Sequence, residues 1–90
     1  MKHITMDECA ANADNLAALV GFDEDDMKIR ATWRVPGSGD VTVDQTADEF
    51  WVACGGDPCY PAAWCFGDGG YPDIVVFKTL EERHIWFNQR

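Results

Sequence analysis

Met27-Lys-Ile-Arg-Ala-Thr-Trp-Arg-Val35, followed by Pro36-Gly-Ser-Gly39 and the resumption at Val41 and Val43, is the stretch whose reading decides the fold class. Met27, Ile29, Ala31, Trp33 and Val35 alternate with Lys28, Arg30, Thr32 and Arg34. A period of two puts one set on each side of an extended chain, so the segment reads as a half-buried strand. Pro and Gly at 36–39 supply a turn, and the alternation after it makes a hairpin the economical reading. Lys28, Arg30 and Arg34 are then expected as a small basic stripe on the solvent side.

Working outward, Thr-x-acid-Glu occurs three times, at Thr5-Met-Asp-Glu8, Thr46-Ala-Asp-Glu49 and Thr79-Leu-Glu-Glu82. Each spacing fits a capping box: the threonine hydroxyl accepts from the N3 amide and the glutamate reaches back to the N-cap amide. Nothing around the boxes matches in spacing or content, so common local chemistry explains them better than an internal repeat. Three helix starts are expected. The first helix takes Met6, Cys9, Ala10, Ala13, Leu16, Ala17 and Val20 as one apolar face and ends at Gly21. The second covers residues 47–54 and stops at Gly55-Gly56. The third runs from Leu80 to about Gln89, with Leu80, His84 and Phe87 inward and Trp86 on its flank.

Residues 62–66 are expected to pair across Gly67-Asp-Gly-Gly70 with residues 73–78. There the apolar run 74–77 suits a central strand buried on both faces. The order α-ββ-α-ββ-α describes an α+β fold, a small antiparallel sheet of three or four strands with helices packed on one face. Ninety residues make this a single domain, 1–90.

Sixteen Asp and Glu against seven Lys and Arg give a formal charge of −9. Such a field disfavours direct nucleic-acid binding and anionic membranes and favours basic protein surfaces. With 47% hydrophobic residues, four Trp and five Phe, the chain should nevertheless fold. No window has the length of a membrane helix and the opening residues lack a signal-peptide core, so a cytosolic location is expected. Cys9, Cys54, Cys59 and Cys65 form no CxxC pair and read as reduced, partly buried thiols. A Cys54/Cys59 or Cys59/Cys65 disulfide and a cysteine–histidine metal site are the alternatives. No cofactor or metal is expected.

Asp23-Glu-Asp-Asp26 is the densest acidic run, and it lacks the alternation, central glycine and distal glutamate of a calcium loop. A solvated loop is the plain reading of the run and a calcium or magnesium site the minor alternative; a second idea is that the chain's sixteen carboxylates together imitate a phosphate backbone, which requires that they share a face. Tyr60, Trp64, Phe66 and Tyr71 crowd a Gly- and Pro-rich stretch, either as a roof on the core or as the aromatic anchors of an interface. His3 and His84 stand in no recognisable nucleophile motif. A small hydrolase or transferase using Cys59 or His84 is accordingly the minor alternative.

In its size, acidity, compact α+β pattern and lack of catalytic motifs the chain resembles the small inhibitors encoded by phages and mobile elements, the anti-CRISPR proteins. That resemblance implies a non-enzymatic inhibitor, monomeric or homodimeric, acting on a basic nucleic-acid-binding surface of a nuclease or guide-RNA effector complex in the host cytosol. Asp23, Glu24, Asp25 and Asp26 would steer, and Tyr60, Trp64 and Tyr71 would anchor. An acidic immunity protein or antitoxin that neutralises a basic toxin would use the same charge.

Overall fold

A computed structural model describes residues 1–67 and 70–89. The tip of the expected second turn, Asp68 and Gly69, lies outside the described residues. The elements are β1 (Lys2–Ile4), α1 (Met6–Ala11), β2 (Leu16–Asp23), β3 (Lys28–Val35), β4 (Gly39–Gln45), α2 (Ala47–Ala53), β5 (Ala62–Cys65), β6 (Asp73–Val76) and α3 (Leu80–Asn88). The α+β class holds. The strands form two antiparallel three-stranded sheets, β1-β6-β5 and β2-β3-β4, where a single sheet was expected, and the chain enters through a strand.

All three threonines cap a helix. Thr5, Thr46 and Thr79 accept from the backbone N–H of Glu8, Glu49 and Glu82. Only α2 closes the reciprocal box, through Glu49 Oε1 on the Thr46 N–H; Glu82 reaches one residue further back, to the Lys78 N–H. Helix α2 ends in a Schellman motif: Gly56 N–H donates to Trp51 O and Gly55 N–H to Val52 O, with Gly55 in the left-handed region at φ 90°.

The expected first helix is corrected. It stops at Ala11, short of two turns, and residues 16–23 form a strand. Asn12, Asp14 and Asn15 favour turns, and tertiary pairing with β3 then captures the chain. The helical spacing of Leu16, Leu19 and Phe22 has a different cause: register breaks between Leu16 and Ala18 and between Leu19 and Gly21 each insert a residue, turning a period of two into three. Those three side chains stand opposite Trp33, Ala31 and Ile29 and pack on the core. Val20, assigned to the helix face, is exposed, and Gly21 pairs with Arg30 inside the strand without a positive φ.

Both sheets face one core. The β2-β3-β4 sheet contributes Ile29 and Ala31, the β1-β6-β5 sheet Ile4, Ala62, Trp64, Ile74 and Val76, and helices α1 and α2 add Met6, Cys9, Ala47 and Phe50. Phe50 is fully buried, its ring 5.7 Å from Trp33 and 6.0 Å from Trp64. Strand β6 is central, as its apolar run implied. Its other side, with Ala63, Val75 and Phe77, packs against Trp86 of α3. Helices therefore lie on both faces of this sheet. The inward and outward residues of α3 are also corrected: Leu80, His84 and Phe87 are exposed, and Trp86 is the side chain that docks, 5.5 Å from the Phe77 ring.

The basic stripe is present as positions and neutralised as charge. Lys28, Arg30 and Arg34 lie opposite Asp23, Asp44 and Asp40 on the flanking strands. Arg30 makes a two-pronged pair with Asp44 at 2.8 and 3.2 Å.

Candidate functional site

The β2–β3 turn is built by its first aspartate. Asp23 Oδ1 accepts from the N–H of Asp25 at 3.0 Å and of Asp26 at 3.4 Å, an Asx-type closure that spends this carboxylate on the loop itself. Met27 completes the turn in the left-handed region at φ 53°, a position costly for a side chain. Its carbonyl accepts from Trp64 Nε1 at 2.7 Å, and its side chain packs on the core. The turn is thus tied to β5, and the carboxylates of Glu24, Asp25 and Asp26 stand exposed without a hydrogen-bond partner among the described residues.

Beside this turn opens a groove of about 650 Å³. One wall is Asp26 and Met27. A second is the start of α2, Thr46 to Asp48. The floor is Ala62, Ala63 and Trp64 of β5, and the far wall is the side of α3 that carries Leu80, Arg83, His84 and Phe87. Leu80 is 66% and Phe87 49% exposed, so two apolar side chains of α3 meet solvent here on either side of Arg83 and His84. Arg83 Nη1 donates to Asp48 Oδ2 at 2.8 Å and to Ala62 O at 3.2 Å, while Asp48 Oδ1 accepts the Ala62 N–H at 2.7 Å. This clamp fixes α3 to α2 and β5 and sets the width of the groove.

Of the expected site residues, Asp26 and Trp64 meet in the groove, whereas Asp23 and Glu24 line a separate cavity with Arg30 and Asp44, and Asp25 is exposed on the turn between them. Trp64 is 3% exposed and serves as core and floor. Tyr71 is half-buried, its hydroxyl donating to Leu19 O at 2.8 Å. Tyr60 is exposed on another side, in a separate cavity with Trp51, Lys2 and Lys78. Leu80 and Phe87 were expected as inward core residues of α3 and Asp48 as part of a helix cap; none of these, nor Arg83, was expected at a binding site. The signal for Leu80 and Phe87 lay in α3, whose apolar residues occur on more than one side: Trp86 serves the fold and leaves those two exposed.

Many carboxylates perform structural work. Asp73 takes both the Met6 N–H at 2.8 Å and His3 Nε2 at 3.2 Å, and Asp57 takes the Cys59 N–H. The acids with no such partner in the described residues are spread over several elements: Asp7 and Glu8 on α1, Asp14 before β2, residues 24–26 on the β2–β3 turn, Asp40 on β4 and Glu81 on α3.

All four cysteines are free thiols. Cys9 and Cys54 are buried in the same core, and the hydrogen bond with Cys9, reinforced by burial, pushes the Cys54 thiol up. The neighbouring Asp57 also raises the exposed Cys59 thiol above its ordinary value, the opposite of an activated nucleophile. His84 Nε2 lies 3.1 Å from Asn88 Nδ2. No group of three or more metal-ligating side chains occurs among the described residues, and no helix among them is long and apolar enough to cross a membrane. No protein-family model, curated protein or solved structure matches the chain.

Proposed function

We propose that the chain is a non-enzymatic binding protein that docks on a basic surface of a partner that handles nucleic acid, a nuclease or a guide-RNA effector complex, and inhibits it in the manner of the anti-CRISPR proteins. The observation that carries this reading is a groove that Asp26 of the exposed acidic turn lines on one side and the solvent-exposed Leu80 and Phe87 line on the other, with Glu24 and Asp25 next to Asp26 in the same turn.

A partner segment with Lys or Arg beside an apolar side chain matches that pairing. The carboxylates raise the encounter rate with a cationic surface, and the apolar wall supplies the area that slows dissociation. Steering by the acidic turn is kept from the sequence reading, and in this proposal anchoring passes to α3 in place of Tyr60, Trp64 and Tyr71, since Trp64 is buried, Tyr71 half-buried and Tyr60 in another cavity.

The test is affinity capture from host cells at low and moderate salt, followed by kinetics on the recovered protein. Glu24, Asp25 and Asp26 all changed to Lys should cut the association rate by about tenfold or more and flatten its salt dependence, and Phe87→Ser should mainly speed dissociation. Unchanged rates in both variants would refute the site. Recovery of a basic toxin would replace the inhibitor reading by that of an immunity protein.

A further inference from the structure

We infer that β4 is a self-association edge: two copies of this chain pair antiparallel through residues 40–44, about a two-fold axis at Thr42, joining their β2-β3-β4 sheets into one of six strands. The inference is independent of the partner proposed above.

Unpaired strand edges invite pairing, and folded proteins blunt them by shortness, bulges or cover. Three of the four edges here are blunted. Strand β1 has three residues. Strand β5 is covered, its Ala62 N–H taken by Asp48 and its Ala62 carbonyl by Arg83. Strand β2 is broken by two bulges, and Tyr71 occupies its Leu19 carbonyl. Strand β4 is different: seven residues in unbroken register with β3, without proline, and exposed from Gly39 to Asp44.

Its sequence is self-complementary. Asp40-Val41-Thr42-Val43-Asp44 reads the same in both directions. A two-fold axis at Thr42 therefore sets Thr42 opposite Thr42, Val41 opposite Val43 and Asp40 opposite Asp44, the isologous contact that a dimer requires. The backbone is correctly phased for this. The Thr32 and Thr42 hydroxyls lie 2.7 Å apart, the close approach of a non-hydrogen-bonded pair, so the Thr42 N–H and C=O point away from β3 to the open edge. Asp40 and Asp44 share that phase, and the three residues offer their N–H and C=O groups to the second copy.

Side chains agree with the backbone. Val41 and Val43 lie on the core-facing side with Ala31 and Trp33 yet remain 40% and 37% exposed, and pairing covers them with the same two valines. Charges on an edge ordinarily repel a second strand. Here Arg30 holds Asp44 and Arg34 stands opposite Asp40, so each row across the joint reads Arg, Asp, Asp, Arg and carries no net charge.

Sedimentation equilibrium of the full chain over about 1 µM to 1 mM tests this, a range that brackets weak and moderate dimers. The expected mass rises from 10.1 kDa toward twice that value. Thr42→Pro removes the central outward N–H and leaves the backbone ladder to β3 intact, losing only the hydroxyl contact with Thr32, and should weaken association by about tenfold or more. Val41→Lys with Val43→Lys, at two exposed positions, sets lysine against lysine across the joint and should also leave a monomer. Circular dichroism establishes that each variant is folded, and the lysine pair decides if the proline variant is not. A mass of 10.1 kDa throughout, or a dimer indifferent to the folded variants, overturns the proposal.

Discussion

Replacing Arg83 or Asp48 should loosen α3 and change the groove it bounds. Arg83→Met keeps the apolar stem and loses both guanidinium contacts, to Asp48 at 2.8 Å and to Ala62 O at 3.2 Å. The side chains are 26% and 51% exposed, so solvent screens the charge–charge part and the pair belongs near the upper end of surface ion pairs, about 0.5–1 kcal/mol. Asp48→Ala costs more, because it also strips the acceptor from the N–H of buried Ala62, a group whose loss of partner costs about 1–3 kcal/mol. The expected order is Asp48→Ala, about 2 kcal/mol, above Arg83→Met, about 1 kcal/mol, with a coupling of ~0.5–1 kcal/mol in the double variant. In a domain of this size each kcal/mol lowers the melting midpoint by roughly 4–8 °C.

Urea unfolding followed by tryptophan fluorescence gives the cycle, and hydrogen exchange localises it. Amides of residues 84–88 should exchange faster in both variants while those of β3 keep their protection, since Trp86 on Phe77 is then the main remaining tie of the helix to β6. Additive single and double variants, or unchanged exchange in α3, would refute the clamp.

Gly56→Ala should destabilise by on the order of 1–3 kcal/mol, read by thermal unfolding, because a Cβ at this position would enter the Trp51 indole ring. The hydrogen bond from Arg30 holds the Asp44 carboxyl below its ordinary value. A depressed folded-state value adds stability that is present above the unfolded value of about 3.9 and is lost as pH falls through the folded one, so an NMR titration should place Asp44 below 3.9 and Arg30→Gln should return it upward. Asp57 disfavours the Cys59 thiolate, so Asp57→Asn should shift the alkylation profile of Cys59 to lower pH. Buried Cys9 and Cys54 should react only after unfolding, as mass spectrometry of the labelled chain would show.

What the chain declares locally proved correct where the deciding interactions are local. Thr-x-acid-Glu specifies three helix starts because cap and N3 amide lie within one turn. The period of two over residues 27–35, with glycines at φ 81° and 78° in the turn, specifies the β3–β4 hairpin in the same way. The acidic turn was legible as composition, since four consecutive acids find no buried environment.

Tertiary structure alone decided the rest. Residues 16–23 carry a three-residue apolar spacing that a helix and a twice-bulged strand satisfy equally, and only pairing with β3 distinguishes them. The division into two sheets, the contact of Cys9 with Cys54 and the choice of Trp86 over Phe87 as the docking side chain of α3 all join residues distant in sequence. The groove follows from that last choice, because a helix with apolar residues on several sides can bury only one of them, and the surface that remains open is set by what it packs against.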